Sequence, residues 1–555
     1  MRDPWLAAIL ALAAGLRIYG LGHGLPHVYN PDEANIMARA LSIAQDPNPH
    51  YFLYPNFFFF FLFGVMGGLF VVGRMAGRYA SLGAFEARFF EDPTDFYLAG
   101  RWVGVLSALA TIVLAYRLTL KHFGRTAARA TALFMAVAYF HVRDSHYLKH
   151  DVPMGLLLIV ALTAFDRIRE DPRLRSYVLS GVAMGVAFAT HYYAVFLAPA
   201  FALYHLSLWR LRHVSRVIAA GAVAAVLFFL LSPFVLLELR VALDHMVANR
   251  EVVMDRSVSG GSFLLPSLPE YLRFLTEQGL GYLACALVLV GAVLMAHRDR
   301  ARFVLWSGFP LFFFVFIAYT FFAGRYLNPI LPGLAAAAGV AVGAIQERFG
   351  WRAAALVALA ACIQPLYRDV QVDRLFGGKD TRTLAREWIV NELPVGARVA
   401  LQSYSVPVPQ SAASIRQSLA VNDALEELDR KGKYAHLLAV AEKTHPAYDL
   451  VFLGNGDERD RTYLDYQEVV SRELDPLFDG DAVAVVLRYP PGPLPPQVGA
   501  FFESVTERGT ELVRITPFQG DEPERHPYLD NEDWPARAGL SHKGPRIEIW
   551  SLEKR

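Results

Sequence analysis

Residues 126–168 read TAARATALFMAVAYFHVRDSHYLKHDVPMGLLLIVALTAFDRI: two apolar runs, 126–142 and 152–168, joined by a short segment rich in ionisable side chains. Each run has the roughly 17–25 residues needed to cross ~30 Å of hydrocarbon. Lys121, Arg125 and Arg129 flank the first run, and Arg167, Arg169, Arg173 and Arg175 flank the second. Cytoplasmic loops of membrane proteins carry the Lys/Arg excess, so both flanks belong inside and the loop 143–151 outside.

The same reading extends in both directions. Apolar runs lie at 5–21, 98–119, 215–237, 279–296, 302–322, 327–346 and 351–367, and 177–208 holds two shorter ones split by Thr190-His191-Tyr192. With the first pair this makes about eleven spans. Arg210, Arg212 and Arg216, then Arg298, Arg300 and Arg302, then Arg348 and Arg352 occupy further inner loops. The N-terminus is then cytoplasmic, and 22–56, 238–278, the turn near Gly324 and the tail from Arg368 are outside. Phe57–Gly73 breaks the parity. It is apolar, yet the following 74–97 holds Arg74, Arg78, Glu86, Arg88, Glu91, Asp92 and Asp95, too polar for a span. A re-entrant or juxtamembrane helix is expected there, its Phe57–Phe61 run facing lipid or packing against neighbours.

Composition agrees with a multi-pass membrane protein. Of 555 residues, 54% are hydrophobic and 19% charged, against roughly 25% charged in soluble domains. A net charge of +1 argues against nucleic-acid binding, and the apolar excess excludes disorder for most of the chain. Polarity is uneven, since Arg368–Arg555 holds 23 Lys and Arg against 31 Asp and Glu. Two domains are expected: a transmembrane domain at 1–367 and a soluble, extracytoplasmic α/β domain at 368–555. In the tail, Thr381–Asn391 has helical spacing, and Arg398–Gln402, Asp449–Leu453, Ala482–Leu487 and Arg546–Leu552 read as strands. No Gly-rich phosphate loop, nucleophile elbow or metal cluster stands out in it, which suggests a regulatory or acceptor-docking role. Cys285 and Cys362, both inside apolar runs, read as small buried hydrophobes. Trp5–Leu21 lacks a small-residue cleavage site and precedes further spans, so it is expected to remain as a span.

Ionisable residues at a membrane boundary are expensive and mark candidate sites. Asn30-Pro31-Asp32-Glu33 opens a probable helix, where the two acids either cap its N-terminus or do chemistry. Arg143-Asp144-Ser145-His146-Tyr147-Leu148-Lys149-His150-Asp151-Val152-Pro153 is either a solvated turn or a second cluster. In Gly324-Arg325-Tyr326-Leu327-Asn328-Pro329 a single Arg either snorkels to headgroups or grips an anion. Thr190-His191-Tyr192-Tyr193 makes a fourth outer turn. All four share one boundary. Together they supply the carboxylates, cations and aromatics expected where a phosphate-bearing lipid meets a nucleophile.

On these residues the chain resembles the GT-C superfamily of integral-membrane glycosyltransferases, in its protein O-mannosyltransferase and aminoarabinose-transferase branch. The resemblance rests on Asp32-Glu33, on Arg143–Pro153, and on Arg325-Tyr326-Leu327-Asn328-Pro329-Ile330-Leu331-Pro332, and it covers about 1–390. Asp380-Thr381-Arg382-Thr383-Leu384-Ala385-Arg386-Glu387-Trp388-Ile389 is similar to the segment after the last span in bacterial members. Two departures stand out. Tyr54-Pro55-Asn56 occupies the place of a frequent His-Pro-Pro, and His191 that of a common Lys.

The resemblance implies a polyprenyl-phosphate-linked sugar donor, transfer to a hydroxyl on the outer face of the inner or plasma membrane, and inversion at the sugar. A hydroxyl acceptor needs a carboxylate base, and a leaving lipid phosphate needs cationic stabilisation. Asp32 is the expected base, with Glu33 as acceptor positioner or alternative base. Lys149, His191 and Arg325 are expected to hold the donor phosphate, with Tyr192 and Tyr326 as hydrogen-bond donors. Asp144, His146 and Asp151 are expected to support them, with Asp144 and Asp151 orienting the cations or contributing to a divalent-metal site, which some members use. Spans 215–237 and 302–346 are candidates for the lipid-tail groove. The acceptor is a protein, a lipid or a glycan. The competing class is a transporter or flippase of a lipid-linked or anionic substrate, which would place charges near the bilayer midplane within repeats. No repeat is found, and the clusters lie at one boundary.

Overall fold

The computed structural model describes residues 3–554 apart from 210–212, 256–264, 403–404, 422–432, 455–462, 490–493 and 521–538. Of the basic residues assigned to inner loops, Arg210 and Arg212 lie outside the described residues. Two compact units are present: Met1–Leu21 with Asp32–Leu69 and Tyr97–Asp373, and Gly22–Pro31 with Phe70–Phe96 and Arg374–Arg555.

The first unit is helical. It opens with α1 (Pro4–Ile18), α2 (Pro31–Ser42) and α3 (Phe57–Met75). After α4 (Leu82–Glu91), which belongs to the second unit, come α5 (Thr94–Phe123), α6 (Arg125–Ala136), α7 (Tyr139–Asp144), α8 (Asp151–Glu170), α9 (Leu174–Thr190) and α10 (Leu197–Ser207). Then follow α11 (Val214–Leu231), α12 (Pro233–Leu237), α13 (Leu239–Asp255), α14 (Leu268–Phe274), α15 (Tyr282–Arg298), α16 (Arg300–Tyr319) and α17 (Leu331–Gly377).

Among the described residues five helical stretches are long and apolar enough to cross a membrane: Phe57–Met75, Thr94–Phe123, Val214–Leu231, Arg300–Tyr319 and a run within Gly324–Glu392. Leu268–Gly279 and Tyr282–Arg298, bent by 116°, make a sixth when taken together. Large apolar side chains line the outside of these helices, among them Ile218 and Leu230 on α11, Leu289 and Val293 on α15, and Leu356 and Ile363 on α17. Such contiguous apolar surface marks contact with lipid. The chain is a multi-pass membrane protein.

One local outcome differs from the expectations, one narrows them and one agrees with them. The run 126–142 is interrupted between α6 and α7, where Val137 and Ala138 leave helical geometry. Residues 57–75 form one unbroken helix, so the chain does not dip in and return there. No proline interrupts it, and its glycines keep helical dihedrals, leaving nothing to reverse the chain. Within the phenylalanine run, Phe58 and Phe59 are buried while Phe61 is exposed, so it packs on one side. In α17, Gly350 at φ +85 breaks the helix between Arg348 and Arg352, the turn between the runs 327–346 and 351–367.

In the second unit six strands form one mixed sheet: β1 (Arg398–Gln402), β2 (Asp449–Gly454), β3 (Tyr463–Asp465), β4 (Ala482–Tyr489), β5 (Thr510–Ile515) and β6 (Arg546–Glu553), in the order β3-β2-β1-β4-β6-β5. The β3–β2, β2–β1 and β1–β4 pairs are parallel, and β6 pairs antiparallel with β4 and β5. Strand alternation splits the core in two. Ala400, Leu453, Val485 and Leu487 face Val469, Phe501 and Val505, on the helices Tyr466–Ser471 and Pro496–Arg508. Val399, Leu401, Phe452 and Val486 face Ala385 and Ile389 of α18 (Thr381–Glu392). Four of the six strands match the expected segments. Tyr463–Asp465 is too short for a readable pattern, and Thr510–Ile515 is an edge strand with an exposed, bulged register.

Candidate functional site

α2 starts at a proline, which suits the first turn because no N–H is needed there. Its next two residues are the acid pair, and consecutive helical side chains point about 100° apart. The two acids accordingly have different surroundings. Glu33 points inward and is fully buried; Arg101 forks onto it, Nε to Oε1 at 2.8 Å and Nη2 to Oε2 at 2.9 Å. The Leu148 N–H also donates to Oε1 at 2.8 Å, and Arg101 Nη1 reaches the Leu21 carbonyl at 2.7 Å. In this position Glu33 is a buried tie between α2, α5 and the loop before α8.

Asp32 points the other way, with 47% of its side chain exposed, and its Oδ2 lies 2.7 Å from Nζ of the buried Lys149. Around this ion pair is a pocket of about 310 Å³, also lined by Asn35, Ile36, Tyr51, Tyr54, His150, Asp151 and Arg325. Four of the residues singled out from sequence, Asp32, Lys149, Asp151 and Arg325, thus meet although they come from three separate loops.

From the pocket wall inward the rings of Tyr54, His150, His191 and Tyr193 pack in a tilted row, with centroids 4.3, 4.6 and 3.7 Å apart in that order. Burial, then the neighbouring Lys149 and Arg325 charges, pushes the His150 imidazole down to about 3, so it is neutral at physiological pH. Burial also holds the Tyr54 phenol well above its ordinary range despite the opposing charge of Arg325. Tyr54 is therefore a neutral hydroxyl able to donate.

The turn Gly324–Ile330 carries Arg325 and is fixed from two sides. Asn328 Nδ2 donates to Asp144 Oδ2 at 2.6 Å, while Arg143 Nε holds Asp144 Oδ1 at 2.7 Å. The Tyr271 hydroxyl donates to the Ala323 carbonyl at 3.2 Å and accepts from its N–H at 3.1 Å. Asp144 thus orients the turn that bears the cation, and no metal role follows from it. Among the described residues no group of three or more His, Cys, Asp or Glu is arranged to hold a metal ion. Asp32 and Asp144 are each engaged by a cation, so this donor set does not suit one.

Other expected residues lie off the pocket. His146 is buried, with Nδ1 3.0 Å from the Val142 carbonyl and Nε2 2.9 Å from that of Tyr19, where it ties α7 to the end of α1. The Tyr192 hydroxyl donates to the Phe52 carbonyl at 3.1 Å within an apolar cluster that includes Phe228, far from a phosphate-binding role. His191 sits in the row of rings behind His150, and Tyr326 lies under the Arg325 guanidinium at 5.3 Å. Tyr51, Tyr54 and Asn35 line the pocket without having been singled out. The departure noted at Tyr54-Pro55-Asn56 was the signal available for one of them.

A second, apolar pocket of about 250 Å³ is lined by Leu158, Ile159 and Leu162 of α8, Trp306, Phe309 and Pro310 of α16, and Pro329, Pro332 and Gly333. The turn Gly324–Ile330 therefore contributes to both pockets, Arg325 to the polar one and Pro329 to the apolar one. Of the spans considered for the lipid tail, 302–346 lines this groove and 215–237 does not.

Residues 94–236, from the start of α5 into α12, match the family model described as dolichyl-phosphate-mannose-protein mannosyltransferase. The match includes Lys149 and Asp151 and ends short of Arg325. No curated protein matches the chain at a significant level. Among solved structures, ArnT from Cupriavidus metallidurans in the apo state has a TM-score of 0.52 at 14% identity, over 98% of each chain. The same protein bound to undecaprenyl phosphate also has a TM-score of 0.52 at 14% identity, over 99% of this chain and 98% of that one. The Archaeoglobus fulgidus oligosaccharyltransferase has a TM-score of 0.44 at 12% identity, over 87% of this chain and 67% of that one. The chain thus shares its fold with ArnT, and its segment 94–236 is similar to the mannosyltransferase family model.

Proposed function

We propose that the protein transfers a sugar from a polyprenyl-phosphate donor to an acceptor hydroxyl on the outer face of the membrane, inverting the anomeric centre, with Asp32 as general base. The observation that carries this reading is the half-exposed Asp32 carboxylate facing two cations, Lys149 and Arg325, across one pocket. In the reaction the acceptor oxygen attacks C1 of the sugar as the bond from C1 to the phosphate oxygen breaks. The acceptor proton passes to an oxygen of Asp32, and the electron pair of the broken bond leaves on the lipid phosphate. Lys149 and Arg325 stabilise that charge as it develops, and the neutral Tyr54 hydroxyl and His150 ring add polar contacts without competing charge. The apolar side chains beside Pro329 offer the first isoprene units a surface to pack on. ArnT has been solved with undecaprenyl phosphate, which supports a lipid of this class as the carrier.

Membership of the second unit supports the topology. Gly22–Pro31 and Phe70–Phe96 belong to the same compact unit as Arg374–Arg555. Were α3 to cross the bilayer, these two segments would lie on opposite faces, because the intervening 32–56 holds no span of its own. α3 is thus read as a juxtamembrane helix with no net crossing, α1 as a span ending outside, and the tail as an extracytoplasmic α/β domain.

Asp32→Asn tests the assignment, because it preserves size and hydrogen bonding while removing the proton acceptor. Single-turnover transfer should fall about 10²–10⁴-fold while undecaprenyl phosphate still binds. A helix cap would accept Asn equally well, so near-normal transfer would overturn the base.

A further inference from the structure

Arg39 lies on α2 almost two full turns beyond Asp32, so the two side chains share one helix face about 10 Å apart along the axis. Asn35 and Ile36, which line the polar pocket, stand between them on that face. Tyr51, from the loop after α2, also lines the pocket, and the Arg39 guanidinium lies 4.9 Å above its ring. Burial raises the Tyr51 phenol above its ordinary range, while the Arg39 cation and the Asp32 carboxylate act on it in opposite senses. The ring therefore bridges the interval between the base and this cation, all within the first unit.

Arg39 is half-buried, and its Nη1 donates to the Pro49 carbonyl at 3.3 Å. Among the described residues no carboxylate engages it. The acids that reach the adjoining loop are turned to other partners: Asp46 Oδ2 lies 3.0 Å from His50 Nε2, and Glu238 Oε1 accepts from Asn48 Nδ2 at 2.6 Å. Arg101 and Arg143, by contrast, each hold a carboxylate. A guanidinium is always charged and carries five N–H donors, a planar fork suited to an oxyanion. Partial burial of such a cation is costly until an anion answers it. The donor phosphate is not that anion, because Lys149 and Arg325 await it beside Asp32, whereas Arg39 stands outside the pocket lining.

We infer that Arg39 and Tyr51 form an acceptor subsite for an oxyanion, so that the acceptor is a phosphate- or carboxylate-bearing molecule whose reacting hydroxyl lies about 10 Å from its charge. The guanidinium grips the anion, the neutral Tyr51 hydroxyl and Asn35 offer hydrogen bonds along the way, and the hydroxyl arrives at Asp32. The inference rests on the reading of Asp32 as the base and names the class of acceptor which that base serves.

The test uses the full chain in phosphatidylcholine nanodiscs saturated with undecaprenyl phosphate, so that Lys149 and Arg325 are occupied. Two probes are titrated by ligand-observed NMR: cellobiouronic acid, whose carboxylate stands a disaccharide away from the hydroxyls of its far ring, and neutral cellobiose. The acid should bind roughly 10–100-fold more tightly, the worth of a charged hydrogen bond. Arg39→Gln should bring the acid down to the level of cellobiose and leave the affinity for undecaprenyl phosphate as it was. Arg39→Lys, which keeps the charge and loses the fork, should retain part of the preference. Equal binding of the two probes by the parent would overturn the subsite, and so would a preference that survives Arg39→Gln. A fall in undecaprenyl phosphate affinity in Arg39→Gln would also overturn it, by moving Arg39 to the donor. Phosphatidylglycerol nanodiscs separate the two sources of the anion. If the acid loses its advantage there, a headgroup phosphate fills the subsite and the acceptor is a lipid; if the advantage persists, the acceptor is an acidic glycan. The failure of the base reading shows elsewhere, as normal transfer in Asp32→Asn, and leaves the comparison of the two probes intact.

Discussion

The adjacent acids show how far a pair of residues can be read without its neighbours. Asp32, Lys149, Asp151 and Arg325 were legible because ionisable side chains are scarce at a membrane boundary and need a reason to be there. The division of labour within Asp32-Glu33 was not, because Glu33 is answered by Arg101, 68 positions away. Tyr51 and Tyr54 were equally hidden in a chain that is 13% aromatic. The structural role of Glu33 makes a prediction opposite in kind to that for Asp32. Glu33→Ala leaves the Arg101 charge buried without its carboxylate, so stability should drop by about 3–5 kcal/mol, read as a lowered unfolding midpoint in detergent. Glu33→Leu with Arg101→Met should recover most of it, while Asp32→Asn, whose amide oxygen can still accept from Lys149 at a half-exposed position, should cost clearly less than Glu33→Ala. Equal destabilisation by Asp32→Asn and Glu33→Ala would contradict the separation drawn between them. Arg325 offers the complementary test on the cation side. Its guanidinium stands at a pocket edge on a turn held by Asn328 and Tyr271, so removing the side chain should not disturb the turn. A hydrogen bond to a charged group is worth about 1.5–3 kcal/mol, so Arg325→Ala should weaken undecaprenyl phosphate binding roughly 10–100-fold. Unchanged affinity would return Arg325 to a headgroup-snorkelling role.

Helices were legible as apolar runs, while their contacts were not, because contact depends on which small residues meet across an interface. The α9–α11 pair shows this. A Cβ on Gly181 would lie 2.4 Å from the Ala220 carbonyl oxygen, and one on Gly185 would lie 2.9 Å from that of Ala224, so the two backbones approach through glycine. Such close approach drives association where lipid is as apolar as the side chains. Gly221, on α11 itself, has open space around it. Gly185→Val should therefore lower the unfolding midpoint and the yield of folded protein, since the clash is with backbone that cannot move aside. Gly221→Ala should be neutral or stabilising by up to ~1 kcal/mol through helix propensity. Comparable losses in both would mean that glycine at these positions serves flexibility instead of packing. For 57–75 the sequence left two readings open, a re-entrant or a juxtamembrane helix, for a related reason. Hydropathy reports how apolar a segment is and not where its ends are tethered, and α3 runs from residues of the first unit into Phe70–Met75 of the second.

At the scale of the whole molecule, orientation decides whether the polar pocket opens where a lipid-linked donor and its acceptor meet. Two independent lines bear on it. Basic residues cluster at 121–129, 167–175, 298–302 and 348–352, and the positive-inside tendency is the ground for the proposed cytoplasmic placement of these loops. The acidic tail joins Gly22–Pro31 and Phe70–Phe96 in one compact unit, which in the proposed topology puts all three on the face reached after α1. The turn at Gly350, with Arg348 and Arg352 on either side, and the helix Pro496–Arg508 should therefore be on opposite sides of the membrane. In intact spheroplasts a membrane-impermeant maleimide should label Glu507→Cys at once. It should label Arg348→Cys only after permeabilisation, with Cys285 and Cys362 replaced by Ser. A reporter active only in the cytoplasm and fused after Arg555 should be silent. The inverse pattern in both assays would turn the whole chain over and place Asp32, Lys149 and Arg325 on the cytoplasmic face, where outer-face transfer could not occur and the proposed chemistry would have to be abandoned.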